Sequence, residues 1–462
     1  MHGMDNQKNA TSRLTLRLNR VLCEDRPSDM PIAWRGSESL TLSDFRQRIT
    51  SLIAQLRSTP QQRWAICFDD SYLFSVALLA LLYCGKTPVI PGHLRQALLQ
   101  EQKLQHAFDG LLTDLGLQLE CPTLVLSASG LTQHIDTAAL PDWPENTEVI
   151  LFTSGSTGQP KPVHKPVALL EAESELLAQN WKTLFSGTRV AATVSHQHLY
   201  GLTFRILLPL VLGLPFHTQI TEYHEQLGPL TSQPLTLIAS PAYLKRLDPE
   251  LPALNCRMIV SAGGPLSFDE SQRVAQCLGV LPCEIYGTSE TGIIASRQQQ
   301  HHDQPWLAFG GIAVTQQADG TIAVDSPLFN DDSGLNIHDL IRIDEQGFHL
   351  LGRKDRVVKI EEKRLSLTEV ERRLIALDEI SDAAIIPVTQ GDRIVLAAAI
   401  VLTAAGEKIR LKGDNYLTQY LRQSLRQWIE PVALPKRWRI LSAIPLNPQS
   451  KRAYSELQEL FL

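Results

Sequence analysis

Val149-Ile-Leu-Phe152 is a short unbroken apolar run, the pattern of a buried strand, and the segment after it restricts the chain more than any other stretch. Thr153, Ser154, Ser156 and Thr157 are interleaved with Gly155 and Gly158, and Pro160 and Lys161 close the segment. Glycines let backbone N–H groups turn toward an anion, hydroxyls add donors, and a lysine adds a point charge. A triphosphate requires that combination. A plain strand-to-helix turn also uses small residues, but it has no need of so many hydroxyls together with a lysine. The spacing departs from GxxxxGK[ST] and no Ser or Thr follows Lys161, which disfavours a Walker-type nucleotide hydrolase.

Around this loop, strand-like and helix-like segments alternate. Phe45, Ile49, Leu52, Ile53 and Leu56 recur at helical spacing, residues 64–68 predict a strand, 71–83 a helix and 87–90 a strand. Further on come a helix near 167–181, strands near 235–239 and 258–260, a helix opened by the Ser267/Glu270 capping box, and a strand at 284–286. The weakly patterned residues before Pro31 allow one amphipathic helix. Such alternation predicts an α/β architecture with largely parallel sheets. At 462 residues the chain is long enough for more than one domain.

The character changes near Arg353. Residues 353–462 carry a charge of about +5, leaving about -11 on the rest of a chain whose net charge is -6. A capping box of Ser366 and Glu369 opens a helix with Val370, Leu374 and Leu377 on its apolar face. Strands near 383–387 and 394–402 come next, then a helix over 415–429 with Leu417, Leu421, Leu425 and Trp428 at helical spacing, then a strand at 437–441. This reads as a separate small α+β domain.

An acidic net charge argues against nucleic-acid binding. The 7 cysteines are scattered and form no CxxC pair, which points to a reducing, cytoplasmic setting and to Cys283 as a core thiol. The polar start through Arg20 shows no secretory signal. The apolar run 73–82, at about ten residues, is too short to span a membrane and predicts a buried helix.

The segment 152–161 resembles the phosphate loop of the adenylate-forming superfamily, which includes acyl- and aryl-CoA synthetases, peptide-synthetase adenylation domains and luciferases. Further stretches match that family in order. Tyr286-Gly-Thr-Ser-Glu290 is similar to its YGxTE motif. The resemblance implies that Tyr286 flanks adenine, Gly287 permits close approach, Ser289 contacts phosphate or acyl oxygens, and Glu290 helps to hold Mg²⁺. Ser261-Ala-Gly-Gly-Pro-Leu266 resembles the turn, including Gly263, that borders adenine and the acyl pocket. Ile337-His-Asp-Leu340 stands where the family carries TGDL, so Asp339 is expected to accept hydrogen bonds from the ribose hydroxyls, with His338 in place of the glycine.

Gly352-Arg-Lys-Asp-Arg-Val-Val-Lys359 matches GRxDxxxK, which implies Arg353 at the ribose and Asp355 as a hinge. Pro445-Leu-Asn-Pro-Gln-Ser-Lys451 resembles the terminal motif whose lysine stabilises charge during adenylation, with Ser450 where glycine is usual. Ser195-His-Gln-His-Leu-Tyr-Gly201 corresponds to H-x-x-G, which makes His198 the residue gating the acyl pocket and leaves His196 structural. The clearest departure is Glu361-Glu362, where the family usually has two glycines lining the thiol tunnel.

The resemblance implies a large N-terminal AMP-binding domain (1–352) with mixed and parallel sheets sandwiched by helices, a hinge at 353–355, and a small mobile α+β domain (356–462). The phosphate-loop residues Thr153, Ser154, Gly155, Ser156, Thr157, Gly158 and Lys161 would bind ATP with Mg²⁺. The implied activity is formation of an acyl-adenylate, then of a thioester on coenzyme A or a phosphopantetheinyl acyl carrier protein. His198, Tyr200, Phe204, Ala262, Ile293 and Ile294 are candidate pocket residues. They favour an aromatic or aliphatic acid over an amino acid, because no acidic residue is evident near Ser195. Stand-alone synthetases of aryl-polyene pigment clusters share this look, which suggests a hydroxyaryl acid. Two other readings stay open: a P-loop-type phosphotransferase, and a catalytically silent nucleotide-binding protein.

Overall fold

A computed structural model describes residues 17–22, 26–127, 143–144, 146–154, 160–250, 254–329, 335–360, 363–390, 393–426, 428–429, 431–447 and 452–462. Two sheets form the larger part of the molecule. One runs, among the described residues, in the order Thr123–Val125, Gly110–Thr113, Arg63–Cys67, Thr87–Ile90, Glu148–Ser154, Pro160–Pro166. Its strands are parallel except for the last pair, in which Ser154 lies opposite Pro160. The other sheet is parallel from Pro31–Arg35 through Phe216–Ile220, Arg189–Ala192, Leu235–Ala239 and Cys256–Ser261 to Cys283–Thr288, with antiparallel strands added at both ends.

The apolar run expected to be a buried helix is one. In Ser71–Tyr83 every residue is buried, because the helix touches Arg63–Cys67 and Thr87–Ile90 of one sheet and Phe216–Ile220 of the other. Asp70 caps it, accepting from the amides of Tyr72 and Leu73 at 2.9 and 3.0 Å, and pairs with Arg35 at 2.6 Å. The helix Val167–Phe185 likewise touches Pro160–Pro166 and Cys256–Ser261, so helices are sandwiched between the sheets. One continuous core joins Ile66, Ile90 and Leu151 to Val190, Ile238 and Val260 across this layer. Each such side chain contributes roughly 1.5–3 kcal/mol on burial.

The Ser267/Glu270 capping box forms as expected and opens Phe268–Leu278. Most of the chain before Pro31, where one amphipathic helix is allowed, lies outside the described residues; Leu18–Leu22 is a short 3-10 turn. Ala313–Gln316, Thr321–Asp325, Leu335–Asp344 and Gly347–Arg353 form an antiparallel sheet that the sequence pattern did not announce, since much of it faces solvent.

From Val358 onward the apolar side chains build cores of their own, sharing no member with those that end at Leu350. The hairpin Ile380–Gln390 with Arg393–Leu402 is covered on both faces. Ala383, Ile385, Leu396 and Ala398 point to the helices Leu367–Ile375 and Asp414–Leu425, while Ala384, Ile386, Val395 and Ala397 point to Tyr454–Glu459. This is a smaller α+β unit following the large N-terminal one. Trp428 does not extend the apolar face of Asp414–Leu425 as the spacing suggests. It is exposed, with the Arg373 guanidinium 4.5 Å from its ring centre. Among the described residues no helix is long and apolar enough to cross a membrane.

Candidate active site

Parallel strands bring their carboxyl ends to one place, and the loops leaving them enclose a cavity of about 290 Å³. Thr153 leaves one sheet; Ser240, Ala262, Gly263, Gly287 and Thr288 leave the other; Ser195 to Phe204 close the side. Of the residues expected from sequence, Thr153, His198, Gly263, Gly287 and Ser289 line this cavity, together with Tyr200, Phe204, Ala262 and Ile293. Ile294 does not, being packed in the core.

Tyr286, Asp339 and Arg353 form a second cluster. The Tyr286 hydroxyl donates to Asp339 Oδ2 at 2.5 Å, and Asp339 lies opposite Arg353 in the antiparallel pair Leu335–Asp344 and Gly347–Arg353. Trp306 and Phe348 pack on the Tyr286 ring at 5.8 and 6.0 Å between centres. Burial, and next the Asp339 charge, push the Tyr286 phenol far above its ordinary range.

The strands on either side of the phosphate loop pair with each other, since Pro160–Pro166 returns antiparallel along Glu148–Ser154. Thr153 Oγ1 reaches the Lys161 carbonyl at 3.5 Å, and Lys161 is exposed. Gly155, Ser156, Thr157, Gly158, Glu361, Glu362, Ser450 and Lys451 lie outside the described residues, as do the side chains of Ser154 and Asp355. Glu290 has an exposed side chain, and among the described residues no cluster of three or more metal-ligating groups occurs.

His196 and His198 stand in different surroundings. His196 is fully buried, its Nε2 donating to the Phe68 carbonyl at 2.9 Å and its Nδ1 facing the Ser71 hydroxyl at 3.3 Å. Burial holds it neutral, well below the usual imidazole range. His198 instead lines both the cavity above and a second one of about 390 Å³, which is also bordered by Asp69, Gly92, His93 and Arg95. Gly201 must be glycine: a Cβ there would stand 2.0 Å from the Ser195 carbonyl oxygen. Gly92 has φ +84° and a Cβ there would stand 2.7 Å from the Phe152 carbonyl oxygen, so this position also requires glycine.

Several supporting residues escaped sequence reasoning. Lys165 is buried and donates to the Glu290 carbonyl at 2.6 Å, fixing the end of the Tyr286–Glu290 segment; burial lowers its pKa. Arg205, fully buried in the wide turn Leu202–Leu207, donates to the carbonyls of Val194 and Thr218 at 3.2 Å each and so holds the backbone beside Ser195. Glu284 accepts from Arg297 (2.9 Å), Gln299 (2.6 Å) and the Leu266 amide (3.2 Å), which anchors the end of the Gly263 turn. Glu173 corrects an expectation: an acidic side chain does line the cavity that contains Ser195. It comes from the middle of Val167–Phe185, and only the pairing of distant segments places it there.

Comparison with known proteins agrees with this architecture. The family described as AMP-binding enzyme matches residues 21–316. The 4-coumarate–CoA ligase of Halorhodospira halophila is 30% identical over 329 residues, covering 68% of this chain and 77% of that protein. The N-benzoylphenylalaninol synthetase apmA of Penicillium brevicompactum is 26% identical over 80% of this chain, but the match spans only 18% of that much longer protein. The crystal structure of ATP-bound MatB from Rhodopseudomonas palustris superposes with a TM-score of 0.80 at 19% identity, covering 97% of this chain and 99% of the other, and so shares the fold.

Proposed function

This chain belongs to the AMP-binding enzyme family, and from that premise we propose that it activates a carboxylic acid with ATP and passes the acyl group to a pantetheine thiol. The strongest support for the reading is the meeting of Thr153, His198, Gly263, Gly287 and Ser289 on one cavity. In the first step a carboxylate oxygen attacks the α-phosphorus and the bond to pyrophosphate breaks. In the second, the thiol sulfur attacks the acyl carbon, AMP leaves, and the thiol proton passes to solvent. Both steps ask for positioning and charge stabilisation rather than a side-chain nucleophile.

Asp339 is an acceptor-only carboxylate with one oxygen engaged by Tyr286, which leaves capacity for the ribose hydroxyls beside Arg353. The phosphate loop and Lys161 hold the phosphates. Glu290 offers an exposed carboxylate of the kind that Mg²⁺ uses together with phosphates and water, and the ion would neutralise phosphate charge when bound. His198 borders both cavities, so it can face the acid from one and the incoming thiol from the other. Lys451 supplies positive charge to the adenylation step. Residues 356–462 then turn against residues 1–352 about a hinge at 353–355, with Asp355 at its centre, and withdraw Lys451 for the second step. The acid is a compact aromatic one, hydroxyaryl before aliphatic. A carrier protein is a better acceptor than coenzyme A, because the C-terminal part is basic and Glu361-Glu362 replace, in sequence, the two glycines usual in the family.

The test is acid-dependent exchange of pyrophosphate into ATP, with AMP as the nucleotide product. ADP would indicate a phosphotransferase, and no turnover with any acid would indicate a silent nucleotide-binding protein.

A further inference from the structure

Glu173 has no role in that chemistry, yet it is 3% exposed and lines the 290 Å³ cavity. We propose that Glu173 reads the end of the acid remote from its carboxyl group, selecting a ring acid that bears a hydrogen-bond donor, hydroxyl or amino. This rests on the reading of the cavity as the acid's site.

A carboxylate offers about four acceptor positions. Glu173 fills two: Oε1 accepts from the Thr203 hydroxyl at 2.8 Å and Oε2 from the Ile293 amide at 3.3 Å. The nearby ammonium of Lys165 is engaged by the Glu290 carbonyl, and Glu173 makes no ion pair among the described residues. A buried carboxyl with unfilled acceptor sites is costly unless further donors reach it, and the cavity is where such a donor can come from. Burial raises the Glu173 pKa, and a bound donor would offset that cost.

The surroundings fit one occupant class. Leu151, Phe204, Ile285 and Ile293 give apolar walls, and Gly292 leaves room at Glu173, where a Cβ would stand 2.2 Å from Oε2. A cavity of about 150 Å³ holds benzene, so 290 Å³ takes one substituted ring with its carboxyl group. Two carboxylates repel, so the acid's own carboxylate is turned away from Glu173. The opposite edge of the ring then faces Glu173.

The test compares benzoate, 4-methylbenzoate, 4-hydroxybenzoate and 4-aminobenzoate in two readouts, pyrophosphate exchange and the rise in melting temperature on adding the acid. The hydroxy or the amino acid should exceed both non-donors by about 100-fold or more in kcat/KM, since a site built to hydrogen-bond penalises a missing donor heavily. The better of the two identifies the donor. Glu173→Ala should erase the preference chiefly through KM; if that variant does not fold, the wild-type series alone decides. Equal or better use of the non-donors overturns the inference and leaves the ligase reading standing. Melting shifts confined to donor acids without any exchange support the inference and sink the ligase reading. No shift and no exchange with the donor acids overturns the inference.

Discussion

Tyr286 and Asp339 are joined by a 2.5 Å hydrogen bond that links the strand Cys283–Thr288 to the antiparallel sheet beyond it. The phenol donates, so one Asp339 oxygen is fixed and the carboxylate is aimed. Tyr286→Phe should leave the ring packing intact and release that oxygen. A fivefold rise in KM for ATP is expected, about 1 kcal/mol, with little change in kcat. A collapse of kcat at constant KM would remove this pair from nucleotide positioning.

Lys451→Ala should slow pyrophosphate exchange by about 100- to 1,000-fold, the scale of losing one donor to a developing charge. Thioester formation from supplied acyl-adenylate should persist. Equal loss in both half-reactions would contradict withdrawal of Lys451 between steps.

Asp355→Pro should give the mirror image, with adenylate formed but slow transfer to thiol. Lys354–Arg356 is a short turn between the strands Gly347–Arg353 and Val357–Ile360. Proline fixes φ where a hinge needs to change it. Unimpaired transfer would move the hinge elsewhere.

For the acceptor, kcat/KM with a holo-carrier protein should exceed that with coenzyme A and should fall as salt is raised, because opposite rim charges accelerate encounter. Preference for coenzyme A, or indifference to salt, would count against the carrier.

His196 gives a pH prediction. Its folded pKa lies well below the ordinary imidazole value of 6.5, so the unfolded chain takes up a proton there that the native protein does not. Below about pH 6.5 unfolding is therefore favoured by proton uptake, down to the folded pKa. His196→Gln should flatten the fall of Tm between pH 6.5 and 5 by about one proton's worth. An unchanged slope would mean that other groups carry the acid sensitivity, His93 and His217 among them, whose pKa values burial also lowers.

The sequence made the layers legible wherever burial is uniform. Residues 71–83 and 87–90 follow from their apolar runs alone, and the capping box at Ser267 marks a helix start from chemistry within three residues. The hairpin partner Pro160–Pro166 was hidden by its prolines, which read as strand breakers. An edge strand tolerates them, and this strand is the edge. Lys165, Glu173 and Arg205 were illegible for another reason. Each is explained by a backbone or hydroxyl partner brought close only by folding, such as Glu290 for Lys165 and Ile293 for Glu173. Local spacing carries no trace of such contacts.

Pairing of Ala33 with Phe216 sets the order in which the chain can be finished as it is made. Ile32, Ala33 and Trp34 leave the ribosome well before their strand's parallel neighbour, Phe216–Ile220, has been synthesised. For that interval an apolar strand edge stands open to other chains, and closing so long a loop is slow. The hairpin Ile380–Gln390 with Arg393–Leu402 needs no such wait, because its partners are adjacent in sequence. Nascent-chain aggregation should therefore concentrate in fragments that end before residue 216, while the hairpin closes almost as soon as it is made.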